Sequence, residues 1–220
     1  MDKPQSVADL TELGRVRLSE HFFMREMLYS EVANYHGVPN MPDDPDTAIA
    51  AGKRLCEEIL EPLYRAFGHV TIRSAFRSRT LNGFCHEKHM ELLARGEADH
   101  AYYCADNTYN RARHGWDQRD DDGFMGATVS AVIPWYLPRF EQTGDPRPLA
   151  WWIRDHIPAY SQIVFFPWMC AFNIRWYEGP SAKPIQIDDG GPGDLELLTD
   201  TSMDNFNDDH SALYEGFPTP

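Results

Sequence analysis

The chain has 220 residues, 42% of them hydrophobic and 13% aromatic, which is enough for one domain with a substantial core. Its formal charge of −14 argues against nucleic acid as a direct partner, because phosphate binding needs clustered Lys and Arg, and it disfavours docking on an anionic membrane. No apolar run is long enough to span a bilayer, and the opening MDKPQSVADLTEL lacks the apolar core of a signal peptide. Cytoplasmic synthesis is therefore expected, with an acidic surface suited to a soluble protein or to a basic partner.

Leu18 to Phe23 followed by MREMLYSEVA predicts a short helical unit with Ser19 as its N-cap. Asn40 to Asp46 (NMPDDPD) is an acidic, proline-rich linker. From Thr47 to Phe67 the residues Ile49, Cys56, Ile59, Leu63 and Phe67 recur at helical spacing, and Gly68 is a natural stop. The β-branched start of HVTIRSAFRS (69–78) predicts a strand ending in a polar turn. Residues 79–113 are mixed and contain HEKH at 86–89, which places two histidines three apart; a solvated helix face is the favoured reading, since the zincin spacing HExxH is absent.

His114 to Trp135 (HGWDQRDDDGFMGATVSAVIPW) is the stretch around which the chain is organised. A histidine, a cluster of aspartates and a turn at Gly123 lead into an apolar strand that Pro134 ends. Two readings stand: a metal held on a rigid strand edge, or a hydrogen-bonded acidic loop before a core strand. Asp120-x-Asp122-Gly123 resembles a calcium loop only in part, with Val129 where the closing glutamate belongs. Further on, LAWWIRDH (149–156) reads as a short helix with Trp151 and Trp152 buried. SQIVFF (161–166) and AFNIRW (171–176) read as a hairpin with Pro167 in the turn region. From Gly179 onward Pro, Gly, Asp and Ser dominate, and the tail reads as an extended arm anchored by Leu195–Leu198 and Leu213–Phe217. Cys56, Cys85, Cys104 and Cys170 show no CxxC spacing and read as buried free thiols.

Three ordered pieces carry a family resemblance: LSEHFFMREMLYSE at 18–31, the helix ending LEPLYRAFG with the strand phrase TIRSAFRS after it, and the hairpin ending FNIRWYE. Together, over roughly residues 18 to 178, they resemble the zinc D-Ala-D-Ala carboxypeptidases and their phage-type relatives. The resemblance implies the Hedgehog/DD-peptidase fold: an α+β domain (1–178) with a small antiparallel sheet and flanking helices, followed by the extended C-terminal arm (179–220). It implies that Arg77, with Ser74 nearby, binds a substrate carboxylate, and that zinc sits on a His, an Asp and a second His beside an acidic base. His114 matches the first ligand. By H-x6-D spacing Asp121 is the second, whereas the context of GATVSAVIP puts that position on Ser130. Tyr177 stands where the late histidine belongs, and the base position falls near Ser161. GEADH at 96–100 imitates the family phrase, but His89 lies too far upstream to complete it. Asp117, Asp120, Asp122 and His156 are further donors for a rearranged site, and His69, His156 and His210 are donors from afar.

Two functions follow as expectations. One is a peptidoglycan peptidase-like domain with a degenerate zinc site and weak or no activity. The other is a non-catalytic phage or prophage virion component, or a binding module, whose partner is a wall peptide or a protein such as a virion subunit.

Overall fold

The computed structural model describes residues 1–97, 99–188 and 195–219. Of the phrase GEADH, Ala98 lies outside the described residues, as do 189–194 and Pro220 of the predicted arm. In chain order run α1 (Val7–Gly14), α2 (Met24–Leu28), α3 (Glu31–His36), α4 (Pro45–Leu55), a π-helical turn (Cys56–Leu60), α5 (Glu61–Phe67), β1 (Thr71–Ser74) and α6 (Arg79–Ala94). Then follow β2 (Gly126–Val132), α7 (Leu137–Thr143), α8 (Arg147–His156), β3 (Tyr160–Phe165), β4 (Phe172–Tyr177), β5 (Ile185–Asp188) and β6 (Leu195–Thr199). The architecture is α+β. Among the described residues, no helix is long and apolar enough to cross a membrane.

The chain forms two compact units, residues 1–53 with 74–128 and residues 54–73 with 129–220. In the first unit, α3 starts on the Ser30 side chain, which accepts the Ala33 N–H, and stops at Gly37 in the left-handed region. The Ser19 cap is a correction. Phe23 precedes α2 without a side-chain cap, and Ser19 lies in a tight loop closed by Leu18 N–H to Phe22 O at 2.9 Å. Arg17 donates to the carbonyls of Ser19 and Glu20, so the loop is fixed by an arginine. Ser78 caps α6 through the Leu81 N–H at 3.1 Å. The core of this unit includes Leu13, Leu18, Met24, Met27, Phe76 and Trp116.

The second unit begins inside a helix that changes pitch. Pro62 has no N–H to return to Glu58, and the backbone widens into the π-helical turn at Cys56–Leu60 just before it. The sheet order is β1-β2-β4-β3-β5-β6. β3 and β4 form the predicted antiparallel hairpin, with Ile163 opposite Ile174. The sheet as a whole is mixed, which corrects the antiparallel expectation: after β4 the chain returns to the far edge of β3, and β5 pairs with β3 in parallel. Residues of the predicted arm supply β5 and β6, which pair antiparallel. Further along, Phe217 packs against Phe67, Trp135 and Tyr136, with ring centroids 6.1, 5.1 and 5.5 Å away. Trp152 donates its indole N–H to Pro218 O at 2.9 Å.

Candidate functional site

The candidate site lies within the first unit, where the turn after β1 meets the loop before β2. Residues 75–78 are held from three directions. Phe76 N–H donates to Met27 O at 3.0 Å. The Asn40 side chain bridges Leu28 O and Phe76 O at 3.0 Å each and accepts Ser78 N–H at 2.7 Å. His114 closes the third side: its Nδ1 donates to Ala75 O at 2.6 Å, while Arg77 N–H donates to His114 O at 2.8 Å. This two-point clasp fixes the backbone from which the Arg77 side chain projects.

The loop behind His114 is equally determined. Thr128 N–H donates to Arg113 O at 2.9 Å, and the buried Trp116 indole donates to Thr128 O at 3.1 Å. Gly126 is required here, because a Cβ on it would stand 2.1 Å from Ala112 O. The aspartates between form a turn: Asp120 accepts the N–H groups of Asp122 and Phe124 at 3.1 and 2.9 Å, around Gly123 at φ +84°. Asp117 is buried, accepts Asp43 N–H at 2.7 Å, and has its carboxyl pushed up by desolvation.

The electrostatics at His114 are cationic. Burial drives its pKa down from 6.5 to about 3, and Arg77 and Arg113 push the same way against the Ala75 hydrogen bond. The ring is therefore neutral at physiological pH. Since Ala75 O can only accept, Nδ1 carries the proton and Nε2 carries the lone pair. Arg77 itself is half-buried, and among the described residues its guanidinium has no carboxylate partner.

Of the residues expected from sequence, Arg77 and His114 are brought together, and half-buried Ser74 immediately precedes the Ala75 that His114 binds. Asp121 is 83% exposed and ion-paired with Arg111 at 2.9 Å. Asp117, Asp120 and Asp122 share the first unit with His114, and the other expected positions lie in the second. Ser130 is buried on β2. Tyr177 ends β4 with the Arg175 guanidinium 4.1 Å from its ring centroid. Ser161 donates to Arg175 O at 3.1 Å. His156 stacks on Trp152 and bonds its backbone carbonyl, and His210 stacks on Trp151. His69 is exposed. Sequence reasoning missed Asn40 and Arg113, whose roles depend on contacts far along the chain.

A zinc ion fits these residues poorly. Among the described residues, neither His114 nor Asp121 belongs to a group of three His, Cys, Asp or Glu with ligand atoms within 4.8 Å of one another. The positive potential that disfavours a singly charged imidazolium at His114 acts twice as strongly on a dication. The same potential favours an anion. No protein-family model, curated protein or solved structure matches the chain.

Proposed function

We propose that this protein is a peptidase-like domain that binds the terminal carboxylate of a peptidoglycan stem peptide without hydrolysing it. The single observation behind this reading is the Arg77 guanidinium, which has no carboxylate partner among the described residues and is held on a rigid backbone beside a neutral His114 in a chain of charge −14. A half-buried arginine in the turn after β1, with its backbone fixed, suits the bidentate recognition of a ligand's own carboxylate. His114 Nε2 accepts a hydrogen bond from a peptide N–H, which suits the amide next to a C-terminal residue. The family resemblance of TIRSAFRS supplies the substrate class. The missing ligand group at His114 supports binding over hydrolysis.

Calorimetric titration with an acetylated peptide ending in D-Ala-D-Ala tests this. The free-acid peptide binds, its C-terminal amide binds at least tenfold more weakly, and Arg77→Ala abolishes the difference. Equal affinity for acid and amide, or release of D-alanine that a chelator stops, overturns the reading.

A further inference from the structure

The first unit holds two cysteines that the carboxylate reading does not use. Cys85 lies on α6, and Cys104 lies on the segment after it. They share a small apolar cluster with Ala33 and Leu81, and both are buried. The Cys104 residue is fastened to the turn of α6 that carries Cys85. Its Sγ lies 3.4 Å from Asn82 O, and its backbone carbonyl accepts the His86 Nδ1–H at 3.1 Å. Asn82 donates onward to Ala105 O and Asn107 Oδ1, each at 3.0 Å. Side chain and backbone together therefore hold Cys104 against the turn of α6 that carries Cys85, within one buried cluster. Cys56 and Cys170, the other two thiols, belong to the second unit.

We propose that Cys85 and Cys104 are an oxidisable dithiol that a hydroperoxide converts to an intramolecular disulfide. The chemistry divides the labour between the two sulfurs. Pairing with Cys104 holds Cys85 down at about 7 against its burial, with the Arg77 cation helping. Cys104 is pushed up by the same pairing and by burial, and keeps its proton. The Cys85 thiolate attacks a peroxide oxygen. The O–O bond breaks, Cys85 becomes a sulfenic acid, and the departing hydroxide (alkoxide from an organic hydroperoxide) takes a proton from solvent. Cys104 sulfur then attacks the sulfenic sulfur. The S–S bond forms, the S–O bond breaks, and the leaving hydroxide carries off the Cys104 proton as water. With hydrogen peroxide the sum is two thiols plus peroxide giving one disulfide and two waters. The product ties α6 to the segment leading into the Arg77–His114 loop. It also removes the thiolate that partly offsets the Arg77 charge.

The test uses the full chain, reduced and freed of reductant, then treated with hydrogen peroxide at neutral pH under native conditions. Remaining thiols are alkylated in denaturant and the digest is mapped by mass spectrometry. A Cys85–Cys104 cross-linked peptide two hydrogens lighter than the sum of its parts is expected, with Cys56 and Cys170 recovered as alkylated thiols. In Cys104→Ser, dimedone traps a sulfenic acid on Cys85; in Cys85→Ser, Cys104 is recovered unmodified. Circular dichroism identical to the parent establishes that both variants fold. Recovery of Cys85 and Cys104 as alkylated thiols in the parent overturns the proposal. So does cross-linking scattered over all four cysteines.

Discussion

His114 gives the protein a specific weakness to acid. Its pKa is depressed from 6.5 to about 3 in the folded chain, chiefly by burial and then by Arg77 and Arg113. A histidine whose folded pKa is lowered contributes stability above its unfolded pKa and loses it as the pH falls toward the folded value. Here that window runs from pH 6.5 down to about 3. At about 1.4 kcal/mol per pH unit, the full loss is about 5 kcal/mol, a large share of the net stability of an ordinary domain. Between pH 7.5 and 4.5 the part lost is about 3 kcal/mol. His114→Asn isolates the effect, because the asparagine amide can replace Nδ1–H as donor to Ala75 O and does not titrate. Urea midpoints of both proteins, followed by tryptophan fluorescence across this pH range, measure it. The variant is less stable at pH 7.5 through lost packing, and the gap narrows by about 3 kcal/mol at pH 4.5. Profiles that stay parallel within about 1 kcal/mol refute a buried neutral His114.

Three further outcomes follow from the packing. Gly126→Ala drives a methyl group against Ala112 O and lowers unfolding free energy by about 3 kcal/mol in urea, far beyond an ordinary glycine replacement in a strand. Asn40→Ala removes three hydrogen bonds, two to residues 76–78 and one to Leu28 O, and costs roughly 2–4 kcal/mol, read as a fall in Tm, and it weakens carboxylate-peptide binding without touching the ligand. Phe217→Ala takes the ring from between Phe67, Trp135 and Tyr136, and loses about 2 kcal/mol together with earlier proteolysis of the C-terminal segment.

The sequence made periodic elements legible and left their assembly hidden. The helix read from Thr47 to Phe67 occupies Pro45–Phe67, because its apolar spacing and the Gly68 stop are local signals. Its π-helical turn was equally local, encoded by Pro62, and went unread. The hairpin of β3 and β4 was visible as two alternating runs, but the parallel pairing of β5 with β3 depends on where the chain returns, which no local pattern states. Arg77 and His114 were both singled out from sequence, and the structure joins them in one clasp. The residue that makes the clasp rigid, Asn40, sits in an acidic proline-rich linker where its neighbours predict only a loop. The aspartates 120–122 looked like metal donors because their charge is visible in sequence. Their folded work is turn-making, which becomes visible only when the Asp120 side chain is seen accepting two backbone N–H groups.

A histidine that donates Nδ1–H to a backbone carbonyl is compatible both with holding a metal through Nε2 and with holding a loop. The neighbouring charges discriminate between them at this site. A catalytic zinc needs three converging donors, commonly with an anionic one among them to offset the ion. Beside His114 the nearby charges are two arginines, and Asp121 is committed to Arg111 at the surface. Burial opposes any charge here, but the positive potential of Arg77 and Arg113 offsets that cost for a carboxylate. For a dication the same potential adds to the burial cost. The proposed carboxylate site therefore asks of Arg77 only the charge and fixed backbone that the structure gives it, and no metal.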